Sequence, residues 1–485
     1  MSAPSNKKNP TVKDLLEIIE QKDRVIAVQA ERISSLEARV ASLEAQVKSL
    51  IEELQSERRQ GKRSATPFSK KKHKPHPKKP GRKPGEGPFA FKAAPEPTEA
   101  PVTVAVENLY CSCGGELAHQ GVDIVTVTEL PALPQPQVTP YHVQVCVCQA
   151  CGKIVRGQHP DIAPTQTGAS AHRYGTRARA AAHVLHYHLG VTVRKVPQVL
   201  KALTGLEMTQ SAITQDALGQ MQGPVGKTYQ HLRQRVRCSD YVHTDDTGWS
   251  IQGNPAYLMV FETTGSEPVT VFQIRRQHRN EEVRELVPSD YQGVMTTDRG
   301  KSYDAQALSK VRQNKCVFHI RRNLESELEG QPPGARSFGK CLLTILHQAE
   351  ALWKAYQADE VSLEGYVAHA ASLKARWSYA LRERPLSDSA NQRLLYGLGT
   401  QDDQGHLLRF LEDPQIEPSN NRAERALRPA VIARKVSQCS KNEAGAEAHA
   451  GFMSVLQTLK RRGGDAIEGL SAIMRGQLLL SHSPP

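Results

Sequence analysis

The stretch whose reading decides the fold runs from residue 239 to residue 325. It contains SDYVHTDDTGWSI (239–251), AYLMVFETT (256–264), PVTVFQIRR (268–276), GVMTTDRGKSYD (293–304) and KCVFHIRRNLE (315–325). The first four are short runs rich in Val, Thr, Phe and Tyr, set off by Gly, Pro, Asn or Asp, which is the pattern of strands separated by turns. The fifth passes from a strand end into a helix. They read as five candidate strands or strand ends leading into a helix, and with the flanking segments they predict a multidomain α+β protein. Two runs end on an acid: Asp245 after Tyr-Val-His-Thr, and Asp298 after Gly-Val-Met-Thr-Thr.

Downstream, residues 326–415 read as helices. Leu352, Trp353, Tyr356, Tyr366, Leu373, Trp377 and Leu381 recur at helical spacing and form a core stripe. Residues 416–485 return to helix with PSNNRAERALRPAVIARK and GFMSVLQTLKRRGGD. The expected domain is therefore 237–485, with a helical insertion at about 326–415.

Upstream, residues 168–222 are also helical. VRKVPQVLKALTG, a break at Gly205 and then MTQSAITQDALGQM give a helix-turn-helix pattern, with Thr209 or Ser211 as the cap of the second helix. The pattern alone fits a plain helical hairpin as well as a DNA-binding helix-turn-helix; the resemblance given below favours the DNA-binding region. His186-Tyr187-His188 does not read as a metal site, because i and i+2 diverge on a helix. Residues 105–165 hold three candidate strands, VTVAV, DIVTVTEL and YHVQVCVC, and five of the nine cysteines. Cys148-Gln-Ala-Cys151-Gly has the spacing of a zinc knuckle, and Cys111-Ser-Cys113-Gly-Gly is one residue shorter. One structural zinc on Cys111, Cys113, Cys148 and Cys151 is expected, with Cys146 in reserve; the plainer reading is a small β unit with reduced thiols.

Residues 12–57 follow a heptad. Val12, Ile19, Ile26, Ile33, Val40, Val47 and Leu54 occupy one position; Leu15, Lys22, Gln29, Leu36, Leu43 and Leu50 lie three residues on. β-branched residues at a with Leu at d favour a parallel two-stranded coil, strongest over 33–54. Residues 58–104 are Pro-, Lys- and Gly-rich and read as a disordered basic linker. The net charge of +13 comes from this region: residues 58–84 contain twelve Lys or Arg and no acid, so the rest of the chain is close to neutral. A basic tail of this kind points to a polyanion. Lys70, Lys71, Lys72, Arg82 and Lys83 are its candidate DNA contacts, and KKPGRKPGEG suits an arm for the minor groove.

The opening residues, MSAPSNKKNPTVKDL, lack a signal-peptide core, and no run of eighteen apolar residues occurs. A cytoplasmic, nucleoid-associated protein without membrane contact is expected. Hydrophobic residues make up 39% of the chain, enough for a sizeable core and too many for a wholly disordered protein.

The chemistry rests on Asp245, Asp298 and Glu424, the last in a helical Asn420-Asn421-Arg422-Ala423-Glu424-Arg425. Carboxylates at strand ends and on a neighbouring helix can converge on hard divalent ions, Mg²⁺ or Mn²⁺. Two such ions can activate a water or a 3′-hydroxyl for attack on a phosphodiester. Taken singly, each acid is equally a turn residue or a surface ion-pair partner.

From about residue 105 to 470 the chain resembles the insertion-sequence 66 family of bacterial transposases. The resemblance is carried by HTDDTGW, TDRGKSYDA, CVFHIRRNL and, most specifically, NNRAERALRP, in that order. It implies a ribonuclease-H-like catalytic domain with an Asp-Asp-Glu triad: Asp245, Asp298 and Glu424, spaced by 53 and 126 residues. Asp246 stands where the family has Glu, so either member of that pair is a possible ligand. His319 is then placed to orient phosphate or the leaving group, and Arg321, Arg322, Arg422, Arg425 and Arg428 to hold DNA backbone. Asn420 and Asn421 are candidate caps for the Glu424 helix. The implied partners are the element's terminal inverted repeats and target DNA, a second copy or higher multimer of the chain, and possible helper proteins of the same element. The rival from another class is a catalytically silent DNA-binding protein or repressor derived from a transposase.

Overall fold

The computed structural model describes residues 12–61; 96, 98, 100–106, 110–128, 135–159, 161–162, 166 and 168; and 172–477 apart from 438. The chain divides into two units, 1–73 and 74–485. The first holds α1 (Val12–Gly61), one helix of 50 residues that continues four residues beyond the heptad's expected end. At 1.5 Å per residue it is about 75 Å long. Within this unit its seam is uncovered: Ile19, Ile26, Ile33, Leu36, Val40, Leu43 and Val47 are each more than half exposed. Lys70, Lys71, Lys72, Arg82 and Lys83 lie outside the described residues.

The second unit begins with a small hairpin, β1 (Val145–Val147) antiparallel to β2 (Ile154–Arg156). The expected strands VTVAV and DIVTVTEL are not formed at 102–106 and 123–128, where the backbone has no regular pairing. A β-branched run is a strand only when a neighbour accepts its ladder, and these residues are exposed with none. Helices α2 (Thr176–His183), α3 (Val196–Thr204), α4 (Gln210–Gln222) and α5 (Pro224–Arg237) follow, with a π-helical turn at Val184–His188. Gly205 ends α3 in the left-handed region at φ +68°, and the Thr209 side chain caps α4 by accepting from the Ala212 N–H. Asp216 of α4 ties back to α2 through Arg179 at 2.6 Å and His183 at 2.8 Å.

Strands β3 (Tyr241–Ile251), β4 (Asn254–Thr263), β5 (Thr270–Arg275), β6 (Val294–Thr297) and β7 (Arg312–Lys315) form one sheet in the order β5-β4-β3-β6-β7. The first three are a meander of antiparallel strands; β6 and β7 run parallel to β3. A short helix, α6 (Asn280–Arg284), lies between β5 and β6. After β7 come α7 (Val317–Gly330), α8 (Arg336–Gln357), α9 (Leu363–Ala380), α10 (Ser389–Asp403), α11 (Asn421–Ser437), α12 (Glu443–Arg461) and α13 (Ala466–Met474). Helices α8 to α10 build a second core in which Tyr366, Leu373, Trp377 and Leu381 are buried. The main core packs Val242, Leu258, Val260 and Phe272 of the sheet with Leu232 of α5, Leu427 of α11 and Phe452 and Leu456 of α12.

Both sheet edges are closed. Along β5, the N–H groups of Thr270 and Phe272 donate to the hydroxyls of Thr458 and Ser454 on α12, at 3.0 and 2.8 Å. Along β7, the Lys315 N–H donates to the His406 carbonyl at 2.8 Å, and the Arg409 guanidinium donates to the Gln313 carbonyl at 3.0 Å. Among the described residues, no helix is long and apolar enough to cross a membrane.

Candidate active site

The site is assembled at the centre of the sheet. Strand β3 lies between β4 and β6, and its register with β6 pairs His243 with Thr296. Two residues further along each strand come Asp245 and Asp298, so the parallel pairing carries both acids to the same end of the sheet. Side chains alternate along β3. Thr247, two residues after Asp245, accepts from Arg434 of α11 at 3.0 Å, which puts Asp245 on the face toward α11. Glu424 sits in the first turn of that helix. Asp246 turns the other way, where its Oδ1 lies 3.3 Å from His278 Nδ1.

Burial dominates the electrostatics of Asp245, and the neighbouring acids add to it. Burial, together with the nearby carboxylates of Asp246, Asp298 and Glu424, pushes it up to about 7 against the lowering pull of the Asp246 N–H. That N–H donates to Asp245 Oδ1 at 2.9 Å. Asp298 Oδ1 accepts from the Gly300 N–H at 2.8 Å. A side chain at Gly300 would bring its Cβ to 2.9 Å from that same oxygen, so glycine here lets the Asp298 carboxylate keep its place. Glu424 Oε1 is buried without a hydrogen-bond partner, 3.8 Å from His319 Nε2 in the first turn of α7.

This is an oxygen-rich donor set held close to a charge it cannot neutralise alone, which suits a hard divalent cation. Among the described residues, however, no three His, Cys, Asp or Glu side chains are drawn tightly enough to ligate an ion as they stand.

Residues 172–448 match the family described as Transposase IS66 family. The chain belongs to that family. The matched span contains all three acids and the α3–Gly205–α4 segment; α1 and Cys111, Cys113, Cys148 and Cys151 lie outside it. A relative, uncharacterized protein y4qI of Sinorhizobium fredii (strain NBRC 101917 / NGR234), is 28% identical over 199 residues, which cover 37% of this chain and 35% of that protein. The chain thus spans about a third of the length of that curated relative.

The other candidate residues of this member of the IS66 family divide. Arg322, Arg425 and Arg428 are exposed. Arg321 is instead held by Glu350 at 2.9 Å and Glu325 at 3.6 Å, and Arg422 by Glu417 and by Glu262 at 3.9 Å. The guanidinium groups of Arg321 and Arg422 are therefore partnered within the fold rather than held free for phosphate. Asn420 does not cap α11 through its side chain: its Nδ2 donates across to the Thr244 carbonyl at 2.8 Å.

Each cysteine knuckle forms a tight turn, with Cys111 N–H to Gly115 carbonyl at 2.8 Å and Cys148 N–H to Lys153 carbonyl at 2.9 Å. Hydrogen bonds from Cys113 lower the Cys111 thiol, and backbone N–H groups of Cys151 and Ala150 lower Cys148. The two pairs, Cys111 with Cys113 and Cys148 with Cys151, are not gathered into one four-ligand cluster.

The sequence reading missed the group beneath Asp298. Lys315 is fully buried, with Nζ 2.7 Å from Asp304 Oδ1 and 3.3 Å from Thr297 Oγ1. Gln401 of α10 donates to Asp304 at 3.2 Å and accepts from Arg299 at 2.9 Å, bracing the loop that carries Asp298. A lysine immediately before Cys-Val-Phe at a strand end was the available signal.

Proposed function

We propose that this chain is a ribonuclease-H-like Asp-Asp-Glu transposase that cuts the ends of its element with divalent metal and joins the freed 3′-hydroxyl to target DNA. The observation that carries the reading is that Asp245 and Asp298 follow the paired residues His243 and Thr296 of adjacent parallel strands, with Asp298 and Glu424 both among the carboxylates that raise Asp245. The mixed sheet, three antiparallel strands followed by two parallel to the first, supports the fold assignment. The three acids would hold Mg²⁺ or Mn²⁺, in the two-ion form that serves phosphodiester chemistry. The bound ions supply Lewis acidity at the phosphate and a deprotonated nucleophile. The protein's part is to hold the carboxylates, to keep Asp298 in place through Gly300 and the Lys315–Asp304 pair, and to present His319 beside Glu424. No Ser or Tyr nucleophile is required. The exposed Arg322, Arg425 and Arg428 and the basic 58–84 segment provide backbone contacts, and α3–Gly205–α4 the end-recognition element.

The deciding experiment incubates the protein with duplexes carrying the element's terminal repeats and Mg²⁺ or Mn²⁺. Metal-dependent nicks leaving 3′-hydroxyl ends are expected. Binding without any nick would make the chain the silent DNA-binding protein instead.

Assembly is proposed to run through α1. Its uncovered Ile, Val and Leu seam has the a/d chemistry of a parallel pair. The full chain should sediment as a dimer or a multiple of one. Leu43→Pro, which removes a helix hydrogen bond and clashes with the preceding turn, should abolish the coil-mediated association. A monomeric wild-type chain would reject this assignment.

A structural zinc on Cys111, Cys113, Cys148 and Cys151 is also proposed, supported by the two knuckle turns and the lowered Cys111 and Cys148 thiols. Elemental analysis should find about one zinc per chain, since four thiolates complete a tetrahedral site. Cys148→Ser with Cys151→Ser should release it. Zinc-free protein purified without chelator would count against the site.

A further inference from the structure

We infer that Asn420 and Cys316 form a buried clamp that holds the three acid-bearing segments in register and thereby sets the affinity of the carboxylate site for divalent cation. This rests on the metal-site reading above.

The bonds of this pair reach the residue next to two of the acids and the helix turn of the third. Asn420 Nδ2 donates to the carbonyl of Thr244, the residue before Asp245, at 2.8 Å. The Cys316 N–H donates to the carbonyl of Thr297, the residue before Asp298, at 2.9 Å. The Asn420 carbonyl accepts from the Glu424 N–H at 3.2 Å. The two halves are joined by the Asn420 N–H, which donates to Cys316 Sγ at 3.2 Å. Asn420 is 1% exposed and Cys316 fully buried.

The residue types follow from these bonds. At position 420 the backbone N–H, the side chain and the carbonyl each serve a different segment, and the side-chain atom facing Thr244 must be a donor. Asn supplies one; Asp would set an acceptor against a carbonyl. At position 316 the side chain must accept from a buried N–H while remaining neutral. Burial pushes the Cys316 thiol up, so it stays protonated. Neither side chain touches the cation or the DNA, so both are positioning residues. Mg²⁺ demands near-ideal octahedral geometry, and a ligand displaced by a fraction of an ångström weakens it.

The test is a Mn²⁺ titration of the full-length protein followed by thermal shift, with Asn420→Asp, Cys316→Ala, Cys316→Ser and, as a control on the site itself, Asp298→Asn. Loss of an outer-shell partner typically costs about 10–100-fold in metal affinity. Asn420→Asp and Cys316→Ala should therefore need that much more Mn²⁺ for the same shift, while binding end DNA as the wild type does. Cys316→Ser keeps an acceptor and should recover most of the affinity, which a purely packing role for sulfur would not produce. If Asn420→Asp fails to fold, the contrast between Cys316→Ala and Cys316→Ser decides alone. Wild-type Mn²⁺ affinity in Cys316→Ala, with the shift lost in Asp298→Asn, overturns the clamp and leaves the metal site standing. A shift retained in Asp298→Asn overturns both.

Discussion

Asp245→Asn, Asp298→Asn and Glu424→Gln should each reduce strand cleavage about a thousandfold or more, because a catalytic ion supplies several kcal/mol of charge stabilisation and each 1.4 kcal/mol is tenfold in rate. The amides keep the shape of the side chains and remove the charge that holds the ion. Affinity for the element's end DNA should stay nearly unchanged, since none of the three positions lies in the basic segment or in α3–α4. Asp246→Asn should cost much less, because that side chain faces His278 rather than α11. Cleavage and gel-shift assays on the same preparations measure both quantities. If Asp246→Asn silences cleavage and Asp245→Asn does not, the choice within the adjacent pair is wrong.

Metal use should depend steeply on pH. Without metal, burial and the surrounding carboxylates push Asp245 to about 7. A cation must displace that proton, so below pH 7 each unit of acidity should cost roughly tenfold in apparent Mg²⁺ affinity. The concentration of Mg²⁺ for half-maximal cleavage, measured from pH 5 to 8, should fall along that line and flatten above 7. The same shift affects folding. The folded-state value lies above the ordinary 3.8, so the folded chain holds a proton that the unfolded chain releases. Its contribution to stability is complete below about pH 4 and is lost as pH rises through about 7. Metal-free Asp245→Asn should therefore melt higher than metal-free wild type at pH 8, and the advantage should shrink toward pH 5. Melting curves that show no such gap would mean that Asp245 is not crowded.

The parts of this architecture that depend on local patterning were readable in the sequence. The strands bearing Asp245 and Asp298 stand out because β-branched and aromatic residues alternate between turn signals. The insertion's Tyr366 and Trp377 stripe is buried as its spacing indicated. What failed depended on distant partners. VTVAV has the composition of a strand, but composition does not supply a neighbour. Arg321 looked available for phosphate because Glu350 lies 29 residues away, whereas Glu417, only five residues before Arg422, was a partner the sequence could have offered. Asn420 looked like a cap because its true acceptor, Thr244, is 176 residues upstream. Which of Asp245 and Asp246 faces α11 shows only in the bond of Thr247 to Arg434, 187 residues away, which β3 by itself does not contain. Pro429 would ordinarily end a helix, yet α11 runs on to Ser437. Ala423, Leu427, Ala430 and Ala433 are buried along its length, and this packing offsets the missing hydrogen bond.

The closure of both sheet edges bears on how copies of this chain meet. A bare edge strand offers unpaired N–H and C=O groups to any extended segment, and crowding several copies on one DNA end would multiply such encounters. Here Thr458 and Ser454 occupy the donors of β5, while His406 and Arg409 engage the backbone of β7. An extended segment from another copy would have to displace these contacts before it could pair with either edge at those positions.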